Sequence, residues 1–154
     1  MKKVLCILLA LAAALSLSAC SSGSATATPT QAPVAIDLDL SQMSGTIVYS
    51  QMYNIMNDPE PYLGKVIREA GWYDAFKNVV TGVVYTACII PDATACCSQG
   101  MEFIWAGDHA YPADYPEPGT GLTVTGRLES YMEDEYMYLH LVDAEVIWEP
   151  EEEA

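Results

Sequence analysis

The sequence predicts a mainly β fold, a small five-stranded barrel preceded by one amphipathic helix. Three observations carry that expectation. Apolar residues alternate with polar ones over several runs between Lys65 and Trp148, the period of a half-buried strand. Two of those runs hold a glycine near the middle, Gly71 and Gly126, where a strand bends sharply or another backbone approaches closely. Turn residues rich in Pro, Gly, Asn and Asp punctuate the runs at short intervals.

In chain order, Ile36 to Leu40 alternates with Asp37 and Asp39 and reads as a short edge strand or the approach to the domain. From Thr46 to Asn57, Val48, Met52, Ile55 and Met56 recur at helical spacing, with Ser44 as a cap and Asp58-Pro59 as a stop. Pro61 to Gly64 turns the chain into a strand over Lys65–Phe76, and a second follows over Val79–Ile90, carrying Cys88. Twelve residues, Asp92 to Phe103 (DATACCSQGMEF), then put adjacent thiols, Cys96 and Cys97, into a connection before a third short strand, Met101–Ala106. Gly107–Gly121 contains Pro112, Pro116 and Pro118 without an apolar period, and reads as a surface loop bearing His109. Leu122, Val124, Gly126 and Leu128 set the inner face of a fourth strand. Glu133-Asp134-Glu135 is a charged hairpin into the fifth, Tyr136–Trp148, with Met137, Leu139 and Leu141 on one face and Tyr136, Tyr138 and His140 on the other.

Around this domain, at 36–149, the ends have different compositions. Residues 1–19 have a basic start (Lys2, Lys3), an apolar run from Val4 to Leu17 and small residues before Cys20, the layout of an export signal. The ending Leu17-Ser18-Ala19-Cys20 resembles the lipobox of bacterial lipoproteins. That resemblance implies diacylglyceryl transfer to the Cys20 thiol, cleavage before it and an extracytoplasmic protein held to a bacterial membrane by lipid. Residues 20–35 are small, polar and Pro-containing, a flexible tether. Residues 150–154 form an acidic tail.

Charge narrows the partners. The 154 residues hold 6 basic and 21 acidic side chains, a net charge of −15. Loss of Lys2 and Lys3 with the leader leaves four against 21, or −17. Such a surface repels phosphate backbones, so nucleic acid is excluded as a general ligand. It also repels anionic headgroups, so membrane attachment rests on the lipid.

Five strands with two glycine bends in a little over a hundred residues fit an OB-like barrel best. The stretch Pro59 to Trp72 (PEPYLGKVIREAGW) is similar to the Y-x-GK-x-V-x-x-x-G entry into the first strand of OB-type domains, where a helix precedes the barrel. The departure is the Pro-rich loop between the third and fourth strands, where OB domains often carry their helix, and it leaves an SH3-like barrel or a small open sheet as alternatives. As a whole the chain resembles a group of uncharacterised clostridial lipoproteins sharing DATACC-x-QG-x-EF. More distantly it resembles the extracytoplasmic domain of permease subunits associated with zinc-regulated operons, which implies a metal or a transporter subunit as partner.

Three cysteines besides Cys20 remain in the mature domain: Cys88, Cys96 and Cys97. Outside the cytoplasm one reading is a disulfide from Cys88 to one of the pair, bracing a scaffold that binds a protein, peptide or glycan partner in the envelope. A second is a zinc site formed by all three thiolates with Asp92, His109 or His140 as a further ligand. A third is thiol-redox chemistry at a vicinal pair. No basic residue lies near Cys96 and Cys97 in sequence to lower a thiol pKa. No phosphate loop, nucleophile elbow, H-E-x-x-H or EF-hand pattern occurs, so the reading leans towards a binding module without catalytic residues.

Overall fold

The computed structural model describes residues 34–94 and 96–149. The expected leader, the Cys20 lipidation site, all but the end of the tether and the acidic tail lie outside that range. The described chain is mainly β. A two-residue strand β1 (Leu38–Asp39) leads to helix α1 (Gly45–Asn57), and five long strands follow: β2 (Val66–Lys77), β3 (Val84–Pro91), β4 (Ser98–Trp105), β5 (Gly121–Glu133) and β6 (Tyr136–Trp148). Their order in one sheet is β1-β2-β3-β4-β6-β5, and β5 pairs back onto β2, so the hydrogen-bonded pairings of the five long strands form a ring. All are antiparallel except β4 with β6, and β1 lies parallel to β2.

Gly71 sits where β2 changes partners. Residues up to Trp72 pair with β5 and residues from Trp72 onward with β3. A Cβ at position 71 would strike the Ile89 carbonyl and lie 2.9 Å from Cys88 Sγ, so the bend needs a residue without a side chain. Gly126 has the same role against β6. There Thr125 pairs with Glu145 but Arg127 pairs with Val142, so β6 holds one residue more than β5 across the step, a β-bulge. Asp143 takes a φ of 51° in it, and Arg127 bonds its carboxylate at 3.0 Å. The bulge resets the inward phase of β6, from Leu139 and Leu141 before it to Ala144, Val146 and Trp148 after it.

Inside the ring, Ile67, Tyr73, Ile90, Met101, Phe103, Leu122, Val124, Leu128 and Leu141 are buried, each aliphatic contributing about 2 kcal/mol on full burial. Two plugs complete this core. Helix α1 packs on β3 and β4 through Val48, Met52 and Ile55, and Tyr49 Oη accepts from Gln99 Nε2 at 3.3 Å. The second comes from the Pro-rich loop, which is exposed over most of its length, as expected, but half-buries Tyr115. It carries Tyr115 back onto Tyr73 in a stack with ring centroids 5.9 Å apart, and edge-on against Trp105 at 5.4 Å. Its backbone extends the sheet, Tyr73 N–H donating to Thr120 O at 2.7 Å and Gly119 N–H to Tyr73 O at 2.8 Å.

Two expected strand limits move. The second long strand begins at Val84 because Val79–Val83 forms the hairpin turn, in which Asn78 Oδ1 accepts from the N–H groups of Val80 and Thr81. The next begins at Ser98, three residues early, because the cysteine loop ends in ladder pairing, Pro91 opposite Ser98.

Candidate metal centre

The β3–β4 connection is built on Asp92. Its N–H donates to the Cys97 carbonyl at 2.8 Å, closing the base of the loop. Its Oδ1 accepts from the N–H of Thr94 at 3.1 Å and of Cys96 at 3.0 Å, and the Thr94 hydroxyl adds a further bond at 3.1 Å. An aspartate that gathers following amides in this way imposes a tight, irregular backbone. Adjacent residues in a strand project to opposite faces. Within this turn Cys96 and Cys97 instead bring their sulfurs to 3.5 Å of each other, and Cys96 Sγ lies 3.2 Å from Asp92 Oδ2.

The three donor atoms all fall within 4.8 Å of one another, and both cysteines are exposed. The bond from the Cys96 thiol first, with Thr94 and the amides of Cys96 and Cys97 adding to it, holds the Asp92 carboxyl below the usual carboxylate range despite the opposing effect of partial desolvation. The Cys97 thiol is pushed the other way, first by its hydrogen bond to Cys96 and the charge there, with Asp92 adding to it. The site thus pairs an ionised carboxyl with a thiol whose proton a bound cation would displace. Thiolate formation at Cys97 is opposed, which disfavours that thiol as a nucleophile.

The third sulfur is elsewhere. Cys88 points into the ring and is fully buried, and all three thiols are free. The expected gathering of Cys88 with Cys96 and Cys97, as a bridge or as a common ligand set, is corrected on that point: alternation in β3 turns position 88 inward with Thr86 and Ile90, while the pair lies on an exposed turn. The histidines do not join the cluster either. His109 stacks on Trp105 with centroids 3.5 Å apart and its Nε2 lies 3.1 Å from the Ala106 carbonyl oxygen. His140 lies beside the Tyr131 ring at 4.7 Å, opposite Glu102 and Glu129 in the ladders.

Cys88 has a partner that sequence reasoning passed over. Glu69 of β2 is fully buried, neither carboxyl oxygen has a hydrogen-bond partner of good geometry, and the Cys88 thiol lies beside it. Burial raises the Glu69 carboxyl to about 8, the nearby thiol offsetting a little of that. The Cys88 thiol is raised too, by burial first and then by Glu69. Both groups are thus mainly neutral at pH 7. A signal existed: Glu69 is in phase with Ile67, Gly71 and Tyr73, the inward set of β2.

Compared with protein-family models and with curated proteins, the chain matches none.

Proposed function

We propose that the chain is a lipid-anchored, extracytoplasmic binding module on an OB-like barrel, and that its β3–β4 loop holds zinc or a similar thiophilic ion through Cys96, Cys97 and Asp92. The observation that carries the reading is the match between the loop and zinc stereochemistry. A tetrahedral ion with Zn–S bonds of about 2.3 Å and a Zn–O bond of about 2.1 Å separates two sulfurs by about 3.8 Å and a sulfur from an oxygen by about 3.6 Å. The corresponding separations here are 3.5 and 3.2 Å. These two separations fall within a few tenths of an ångström of that geometry, and the third, Cys97 to Asp92, is within 4.8 Å. Two thiolates and one carboxylate suit a borderline-soft divalent metal. The fourth position is left to water or to a side chain of an envelope protein or transporter subunit.

The OB-like assignment rests on the ring order of the five long strands, closed by the parallel β4–β6 pair, and on the helix that enters ahead of it. The anchor rests on the lipobox-like ending at Cys20. Native mass spectrometry of the full-length chain in detergent, after equilibration with micromolar zinc, tests the metal. One ion per chain that disappears in Cys96→Ser and persists in Cys88→Ala is the expected result; an ion-free native chain ends the proposal.

A further inference from the structure

At the other end of β3 from the cysteine loop lies a groove of about 430 Å³, within the size range of small-ligand sites. Its floor is the outward face of β3, where Ala87 separates Tyr85 from Ile89. Asp74 of β2 and Glu102 of β4 are the ladder partners of Ala87 on its two sides, so their α-carbons bracket the small alanine at about 10 Å, two inter-strand spacings. Glu133 and Asp134, at the β5–β6 turn, supply two more carboxylates. The rings are Phe76, Tyr85, Tyr136 and Tyr138, with Phe76 and Tyr85 stacked at 6.4 Å.

Two of the acids are held in place by tyrosines and not by cations. Tyr85 Oη donates to Glu133 Oε1 at 2.5 Å, and Tyr131 Oη donates to Glu102 Oε2 at 2.7 Å. Among the described residues the ion pairs are Arg68–Asp39, Arg127–Glu129 and Arg127–Asp143, so none of the four groove acids is neutralised. No Lys or Arg lines the groove. Two rings nevertheless face water, Phe76 at 67% and Tyr136 at 69% exposure. Aromatic faces beside unneutralised carboxylates complement organic ammonium groups, which a ring attracts through its quadrupole while a carboxylate supplies charge. A hydrated metal ion gains little from the rings, and anionic polymers are repelled.

We propose that this groove binds a small organic cation carrying two or more ammonium groups, of the linear polyamine class. One ammonium is placed by Asp74 and Glu102 over Ala87, another by Glu133 and Asp134, and the methylene chain between them lies on Phe76 and Tyr136. The site is independent of the metal loop.

Isothermal titration of the full-length chain in detergent at about 0.15 M salt, an ionic strength at which diffuse surface attraction is screened, tests the assignment with spermidine as probe and Mg²⁺ and a lysine-rich peptide as comparators. The expected result is one spermidine per chain, weakened roughly five- to tenfold by Tyr136→Ala or Phe76→Ala and by Asp74→Asn with Glu102→Gln. Binding is retained in Tyr136→Phe, which keeps the ring, and in Cys96→Ser. Melting curves matching the native chain show that the exposed-ring variants fold. Absence of binding at millimolar spermidine overturns the proposal. So does equal binding of Mg²⁺ with no effect of ring removal, which marks diffuse charge, or a peptide that binds tenfold more tightly than spermidine, which marks a protein partner.

Discussion

The chain uses the same two functional groups, a carboxyl and a thiol, in two places with opposite results. Glu69 and Cys88 meet inside the ring, where burial pushes both groups towards their neutral forms. Asp92 meets Cys96 and Cys97 on a turn, where amide, hydroxyl and thiol donors hold the carboxyl ionised. Residue chemistry is shared and solvation differs. The inner pair is an electrostatic liability carried by the fold, and the outer set places three donor atoms close enough to hold a metal ion.

The sharpest contrast lies in thiol access. Iodoacetamide at pH 8 is expected to label Cys96 and Cys97 of the native chain at least about a hundredfold faster than Cys88, whose labelling requires opening of the ring. Comparable rates, read by peptide mass mapping, would erase the distinction between inside and outside.

Metal affinity should follow the outer set alone and rise with pH. Two thiols release protons on binding zinc, so apparent affinity is expected to climb by up to about a hundredfold per pH unit below the thiol pKa values. Competition with a zinc-sensitive dye between pH 6 and 8 measures that slope; a flat profile would mean that the sulfurs are not the ligands.

Stability should follow the inner pair. Because the folded state holds the Glu69 proton up to about pH 8 and the unfolded chain releases it near pH 4 to 5, the unfolded state binds fewer protons throughout that window. The group's effect on stability is therefore most favourable below about pH 4 and becomes steadily worse as pH rises to about 8, after which it is constant. Glu69→Gln removes the ionisation, and its melting temperature should exceed that of the native chain at pH 8 by roughly 5–15 °C, with little difference at pH 4. An equal difference at both pH values would show that the fold does not raise the Glu69 pKa.

The smallest effect is expected at Asp92. Asp92→Asn keeps the amide-accepting oxygen that shapes the turn but removes the anionic ligand, and should weaken zinc binding by about tenfold without lowering the melting temperature. A loss as large as that of Cys96→Ser would make Asp92 the dominant ligand.

Much of the architecture was readable from periodicity, and the misreadings have physical causes. Alternation located all five long strands, and the mid-strand glycines marked the two places where the ring turns, because close backbone approach leaves no room for a Cβ. The bulge at Asp143 was not readable: one inserted residue leaves composition unchanged and only shifts phase. The Pro-rich loop is exposed as its composition indicates; only the packing of Tyr115 onto Tyr73 was not legible, because a single anchor has no period. At the candidate site, Asp92, Cys96 and Cys97 were legible from their crowding in sequence. Cys88 was grouped with them on chemical type, although its alternation with Thr86 and Ile90 turned it inward. Glu69 escaped notice because a charged residue within a strand is read as outward unless its phase is checked against its neighbours.

The ring of pairings has one more consequence. Among the described residues every long strand has a neighbour on each side over part of its length, but at the tip of the β5–β6 hairpin Ser130–Glu133 and Tyr136–Leu139 pair only with each other. Another strand could add at that protruding tip, where Glu133, Asp134 and Glu135 place charge that opposes a second acidic copy.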